Sequence, residues 1–173
     1  MSIEADDAGV YVSRLLAGAA DAITAVRFCW LLTAAGDSWH ARPMGRLQQN
    51  LAADDWRIRF VANGRSRKVP EVHGSNRVTV IFQHGNDAFV ALTGVPSVHR
   101  DAAAAQRLLQ KSFDLYFPTE ADRAEAVVIE IDTRELDLWI RGVTPEPFGL
   151  HPSRLERRAG GTWRLTSSDA WSG

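Results

Sequence analysis

Short alternating or β-branched runs, separated by turn residues, constrain this chain more than any other feature. Residues 28–33 are continuously apolar, Gly36-Asp37 breaks the run, and residues 39–47 alternate well enough to pair back as a hairpin. Trp56, Ile58 and Phe60 alternate with Arg57 and Arg59, the pattern of a strand with one buried face and its arginines in water. Residues 78–82 are β-branched and aromatic, residues 83–87 supply turn chemistry, and residues 88–98 read as a long strand. Gly94 inside that strand predicts a bulge or a close backbone approach. A strand over 126–131 runs on to Trp139 with a bend near Thr133, and Gly160-Gly161 turns residues 154–158 into residues 162–166 as a hairpin. Strands at such short spacing favour a small barrel, because closure removes exposed edges.

Helical periodicity is confined to two stretches. Asp6 or Asp7 caps a helix over about residues 7–25, in which Val12, Leu15, Leu16, Ala19 and Ile23 recur at helical spacing, with Val26 next in the series. Asp101 caps a second, carrying Leu108, Leu109, Phe113 and Tyr116 and closing at Phe117-Pro118. Phe113, Tyr116 and Phe117 read first as a helix face docking on a dimer partner. The expected class is mainly β with flanking helices, in one domain over residues 1–173 whose C-terminal strands occupy about 147–166. A tail rich in Ser and Trp follows Leu165.

Composition excludes some functions. A formal net charge of -1 leaves no global basic field to hold nucleic acid or anionic lipid. No apolar run approaches the length that spans a bilayer. The lone cysteine, Cys29, lies in an apolar run with nothing basic beside it in sequence, so it reads as core in a reducing interior, and the expected location is the cytoplasm. His40, His73, His84, His99 and His151 share no metal-ligand spacing, and no side chain demands a nucleophile or general-base role. Neither a metal site nor a catalytic residue is assigned.

The strongest functional clue follows the third strand. Asn63-Gly64 ends it, and Ser66-Arg67-Lys68 stands at the mouth of a short helix with Pro70 in its first turn. A hydroxyl, two cations and free backbone N–H groups in one small volume suit a phosphate dianion. Lys68 and Lys111 are the only lysines in an arginine-rich chain, which sharpens interest in the triplet.

The order of motifs resembles the pyridoxamine 5'-phosphate oxidase-like flavoproteins, the FMN-binding split β-barrel family, and especially their general stress protein subfamily. The likeness is carried by Cys29-Trp30-Leu31-Leu32-Thr33, by Trp39-His40-Ala41-Arg42-Pro43-Met44, by the segment from Phe60 to Lys68, and by Asn76-Arg77-Val78-Thr79-Val80-Ile81-Phe82 leading to Thr93-Gly94. The resemblance implies a homodimer with FMN at each end of the subunit interface. It implies phosphate contacts from Ser66, Arg67, Lys68 and Arg42, a ring lying along Pro43 and Met44, and Trp139 near the flavin of the partner subunit. Arg42 alternates out of an apolar strand, as a phosphate ligand or as half of an ion pair.

Two departures qualify what the resemblance implies. Val61 and Ala62 stand at cofactor-binding positions where the oxidase has Tyr-Thr, so hydrogen bonds from those side chains are absent. The C-terminal Arg-Leu-His-Asp-Arg element with which the oxidase binds its substrate has no counterpart. The expected function is therefore an FMN-binding oxidoreductase-like protein engaged in stress-related flavin chemistry rather than vitamin B6 oxidation. It would work between a small-molecule electron donor and acceptor. The alternatives are a non-catalytic flavin store or sensor, or a split barrel holding a deazaflavin or haem.

Overall fold

The computed structural model describes residues 3–53, 55–109 and 111–166, so the tail from residue 167 lies outside the described residues. In chain order the elements are α1 (Ile3–Ala25), β1 (Phe28–Ala35), β2 (Ser38–Gly45), β3 (Arg57–Asn63), α2 (Lys68–His73), β4 (Val78–His84) and β5 (Ala88–His99). There follow α3 (Ala102–Leu108), a 3-10 turn (Lys111–Phe113), α4 (Glu120–Ala124), β6 (Ala126–Ile140), β7 (Ser153–Arg157) and β8 (Trp163–Thr166). No described helix is long and apolar enough to cross a membrane.

The sheet is antiparallel throughout and runs β2-β1-β4-β5-β6-β7-β8, with β3 attached to β6 off that path. The hairpin of β1 and β2 pairs Phe28 with Gly45 through to Ala35 with Ser38. Gly36 turns it at φ 60°, the left-handed region that lacks a Cβ clash only for glycine. β6 is the shared strand: residues 126–132 pair with β3, residues 135–138 pair with β7, and nearly its whole length pairs with β5. Opposite Gly94 the register slips, since Gly94 faces Thr133 while Thr93 faces Glu135, leaving Arg134 as the extra residue of a bulge. A Cβ on Gly94 would lie 2.5 Å from the Asp132 carbonyl oxygen and 2.7 Å from Ile131 Cγ2, so the bulge and the close approach have one cause.

Alternation fills the interior. Phe60, Ile58, Phe82, Leu92, Ile129, Ile131, Leu136 and Leu138 are fully buried, and α1 lays Leu15, Ala19, Ala22 and Ile23 over the same core. A smaller cluster joins Leu47, Val61, Ala105, Phe113, Phe117, Ala126 and Val128.

Several expectations are corrected. Asp6 and Asp7 lie inside α1, which starts at Ile3. The second helix keeps its Asp101 cap, whose carboxylate accepts from Ala104 N at 3.0 Å, but it stops at Leu109, where ψ turns to 123°. The aromatic residues beyond are therefore not one helical face. Phe113 and Phe117 bury themselves in their own chain, at 7% and 3% exposure, instead of awaiting a partner. Arg59 does not simply face water: its Nε donates to Glu130 Oε2 at 2.7 Å, directly across the β3–β6 ladder. α4 was not anticipated, although its capping box, with Thr119 and Asp122 each bonding the other's backbone N–H, is a local signal.

Arg46, just past β2, ties the first helix to the sheet. It is 9% exposed and donates to the carbonyls of Thr24, Val26 and Leu47 at 3.1, 3.2 and 2.8 Å, so its charge sits on the carbonyl of Thr24 in the last turn of α1, on that of Val26 just beyond it and on its neighbour Leu47. Burial lowers its pKa.

Candidate functional site

Among the described residues no ladder joins β2 to β3. The sheet is open along that seam, and the seam is lined. Pro43, Met44 and Gly45 of β2 face Val61, Ala62 and Asn63 of β3 across a cleft of about 170 Å³, with Lys68 at one end and Phe113, Tyr116 and Phe117 along its wall. The structure thus brings five of the expected residues, Pro43, Met44, Val61, Ala62 and Lys68, into one place.

Lys68 opens α2, where the turn after Asn63-Gly64 carries the chain back across the seam. The Ser66 hydroxyl and its N–H both donate to the Asn63 carbonyl, at 2.7 and 3.0 Å, which fixes that turn. Ser66 therefore spends its donor on the backbone rather than presenting it to the cleft. The contact recorded for Lys68 Nζ is Met44 Sδ at 3.6 Å, and among the described residues no carboxylate pairs with it. Burial first, and the Arg42 charge second, hold its pKa below the ordinary lysine value. It is a half-buried ammonium facing an apolar slot.

Arg42 has a different environment. The β2 alternation puts His40, Arg42 and Met44 on the inner face, and the β1–β2 register brings Thr33 opposite His40. Arg42 Nη2 donates to Glu71 Oε2 and to Thr33 Oγ1, both at 2.6 Å. Glu71 also accepts from Arg67 Nε at 3.1 Å, pairs with His40 Nδ1 at 3.2 Å, and takes the Thr33 hydroxyl at 3.3 Å. The Arg42 hydrogen bond above all, and His40 after it, hold the Glu71 carboxyl down to about 2. Of the two readings open for Arg42, the ion pair is the one observed. Arg67 is highly exposed apart from this contact.

Trp139 stands elsewhere. It lines an apolar hollow with Ile81, Phe89, Ala91 and Phe148, whose residues are distinct from those of the Lys68 cleft. Cys29 is buried as expected, with its pKa pushed up to about 12 by desolvation. Arg46, remote in sequence, is the neighbouring charge that opposes the rise.

Sequence reasoning missed Glu71 and Phe113 as parts of the site. Glu71 follows Arg67 by four residues, a helical ion-pair spacing that was a usable signal. Phe113 had none, because its position depends on the break at Leu109. A second hollow of about 370 Å³, bordered by Thr24, Val26, Arg27, Arg46 and Gln48, adjoins the cleft through Gly45 and Phe113, which line both. A Cβ on Gly45 would come 2.9 Å from Phe113 Cε1, so the glycine lets the ring approach β2 closely between the two hollows.

Solved structures share this architecture. A protein related to general stress protein 26 from Clostridium acetobutylicum matches with a TM-score of 0.63 at 15% identity, over 74% of this chain and 89% of that one. A pyridoxamine 5'-phosphate oxidase-related, FMN binding protein from Nostoc punctiforme gives 0.63 at 12% identity, over 90% and 94%. An FAD-binding protein from Mesorhizobium loti gives 0.53 at 18% identity, over 67% and 87%. At the level of sequence no curated protein matches. The family model described as "Pyridoxamine 5'-phosphate oxidase like" matches residues 17–144, which takes in every strand of the barrel from β1 to β6 together with the cleft. The chain belongs to the pyridoxamine 5'-phosphate oxidase-like family, and its fold is the split β-barrel.

Proposed function

We propose that the seam between β2 and β3 binds a flavin, with FMN the favoured form, and that the protein is an oxidoreductase working between a small electron donor and acceptor. The observation that carries this reading is Lys68: a half-buried ammonium with no carboxylate partner among the described residues, at the end of a slot with apolar walls. Such a group is stabilised by an anionic ligand, and the strand backbone beside it offers a flat ring its polar partners.

The donor set fits a flavin in kind. In size the cleft falls short, since sites for small molecules span roughly 300–1,000 Å³. It comes into that range when joined to the adjoining hollow beyond Phe113. The reading therefore includes a movement of the Phe113 ring off Gly45 on binding. When bound, the flavin supplies hydride or electron transfer. The chain's own residues bind and orient it: Lys68 neutralises phosphate, Pro43 and Met44 support the ring, and Val61, Ala62 and Phe117 exclude water. Among the described residues lining the cleft none is acidic or a histidine, and the titratable groups there are Lys68 and Tyr116.

Vitamin B6 oxidation is not part of the proposal. The C-terminal arginine element with which the oxidase binds its phosphorylated substrate has no counterpart in this sequence, and the arginines of β7 and β8 make internal ion pairs: Arg154 with Asp137, Arg157 with Asp132 and Asp55, Arg164 with Glu156. The family relation and the general stress protein neighbour favour a stress-related role. The buried free thiol of Cys29 fits a reducing compartment, and the proposal places the protein in the cytoplasm.

The working unit of this proposal is a homodimer. The outer face of β1 and β2 exposes Phe28, Trp30 and Trp39, at 49%, 53% and 70%, beside Pro43. It continues across Ile81 and Ala91 towards Phe89 and Trp139. A contiguous apolar face of this kind is unusual on a monomer. Trp139 reaches a flavin only across such a dimer.

Titration of the protein with FMN and with riboflavin tests the phosphate assignment. Lys68→Ala is expected to weaken FMN binding by roughly tenfold or more, the scale of one lost charge-assisted hydrogen bond, and riboflavin binding much less. Equal losses would remove Lys68 from the phosphate. Bound FMN reduced by a nicotinamide donor no faster than free FMN would turn the reading from oxidoreductase to flavin store.

A further inference from the structure

We propose that Glu71 sets the charge selectivity of the cleft: its carboxylate holds the anion position between Arg42 and Arg67, and a phosphate-bearing ligand engages those guanidinium groups only by displacing it. The identity of the ligand rests on the flavin reading above; the geometry does not.

Guanidinium groups from two different elements, Arg42 on β2 and Arg67 at the start of α2, converge on one point together with the Thr33 hydroxyl and His40 Nδ1. That convergence is the kind of set proteins use for an oxyanion with several acceptor oxygens. Here both oxygens of Glu71 fill it, Oε2 taking Arg42 and Thr33 and Oε1 taking Arg67 and His40. The position is also next to the cleft: Arg42 is close enough to Lys68 for its charge to depress the lysine, and Met44, two residues along β2, touches Lys68 itself.

The consequence is a division of labour among the cations. Arg42 and Arg67 are neutralised from within, and Lys68 alone remains to recognise an anion. Selectivity for a phosphorylated over an unphosphorylated ligand is then modest in the native protein and rises when the internal carboxylate is removed. A carboxylate that merely orients Arg42 towards the ligand predicts the reverse.

The test compares the native protein with Glu71→Gln, which keeps shape and hydrogen-bonding capacity and removes the charge. Glu71→Ala is the second variant should the first not fold, with the same direction expected. Each protein is titrated with FMN and riboflavin, and its melting temperature is followed with added inorganic phosphate. The ratio of FMN to riboflavin affinity is expected to rise by roughly tenfold in the variant, the scale of one added charge-assisted hydrogen bond. An unchanged or lower ratio overturns the proposal. If neither protein binds either flavin, the flavin reading fails and the phosphate arm decides. A larger phosphate-dependent stabilisation in the variant supports the internal competitor, and equal stabilisation overturns it.

Discussion

Glu71 is where pH reaches this fold most directly. Its carboxyl lies at about 2 in the folded chain against an ordinary 4.5, so the folded state binds its proton less readily than the unfolded state. The contacts to Arg42, Arg67, His40 and Thr33 therefore stabilise fully above pH 4.5 and are lost as pH falls towards 2. Asp122, lowered chiefly by the Thr119 hydroxyl and helped by Arg65, adds a dependence of the same sign. Melting temperatures followed down that window are expected to fall more steeply for the native protein than for Glu71→Gln, and parallel curves would deny Glu71 its part. The sequence made Lys68 the stronger phosphate candidate and left Arg42 open between a phosphate and an ion pair. What separated them was the partner each found: an i+4 carboxylate on α2 reached Arg42 and Arg67, while the β2 alternation left Lys68 against Met44.

Among the elements, β6 and its bulge show how a local sequence signal becomes a packing constraint. Gly94→Ala puts a methyl group within 2.5 Å of a backbone oxygen on β6, where nothing flexible can give way. The expected cost is about 1–3 kcal/mol, read as a lowered melting temperature or denaturation midpoint, and an unchanged value would mean the ladder re-registers freely. This position was legible in advance because a glycine within a β-branched strand weakens the strand unless a bulge or a close backbone contact requires it. The hairpins were legible for a similar reason, since alternation and Gly-containing turns are local. Residues 109–118 were not. Their aromatic spacing suits a helix, but burying Phe113 and Phe117 beside Val61, Ala105 and Val128 outweighs that propensity and breaks the helix at Leu109. The cleft shared this fate. Its strand residues were foreseen, and its aromatic wall was not, because that wall is set by tertiary packing.

For the whole molecule, the question is what covers the apolar outer face of β1 and β2. Trp30→Glu, at the centre of the proposed dimer surface, is expected to yield monomer by sedimentation with the far-ultraviolet circular dichroism unchanged, because the residue packs into no core of its own chain. A variant that still sediments as a dimer would place the interface elsewhere. The shared role of β6 carries a further consequence, for biosynthesis. β3 ends at Asn63 and β5 at His99, yet both pair with a strand that begins only at Ala126. As the chain leaves the ribosome, β3 and one side of β5 therefore wait with unpaired amides and carbonyls through the whole α3–α4 segment. Such edges invite pairing with another nascent chain. The charged pair laid across the late ladder, Arg59 with Glu130, rewards the native register and gives a stray strand nothing to match.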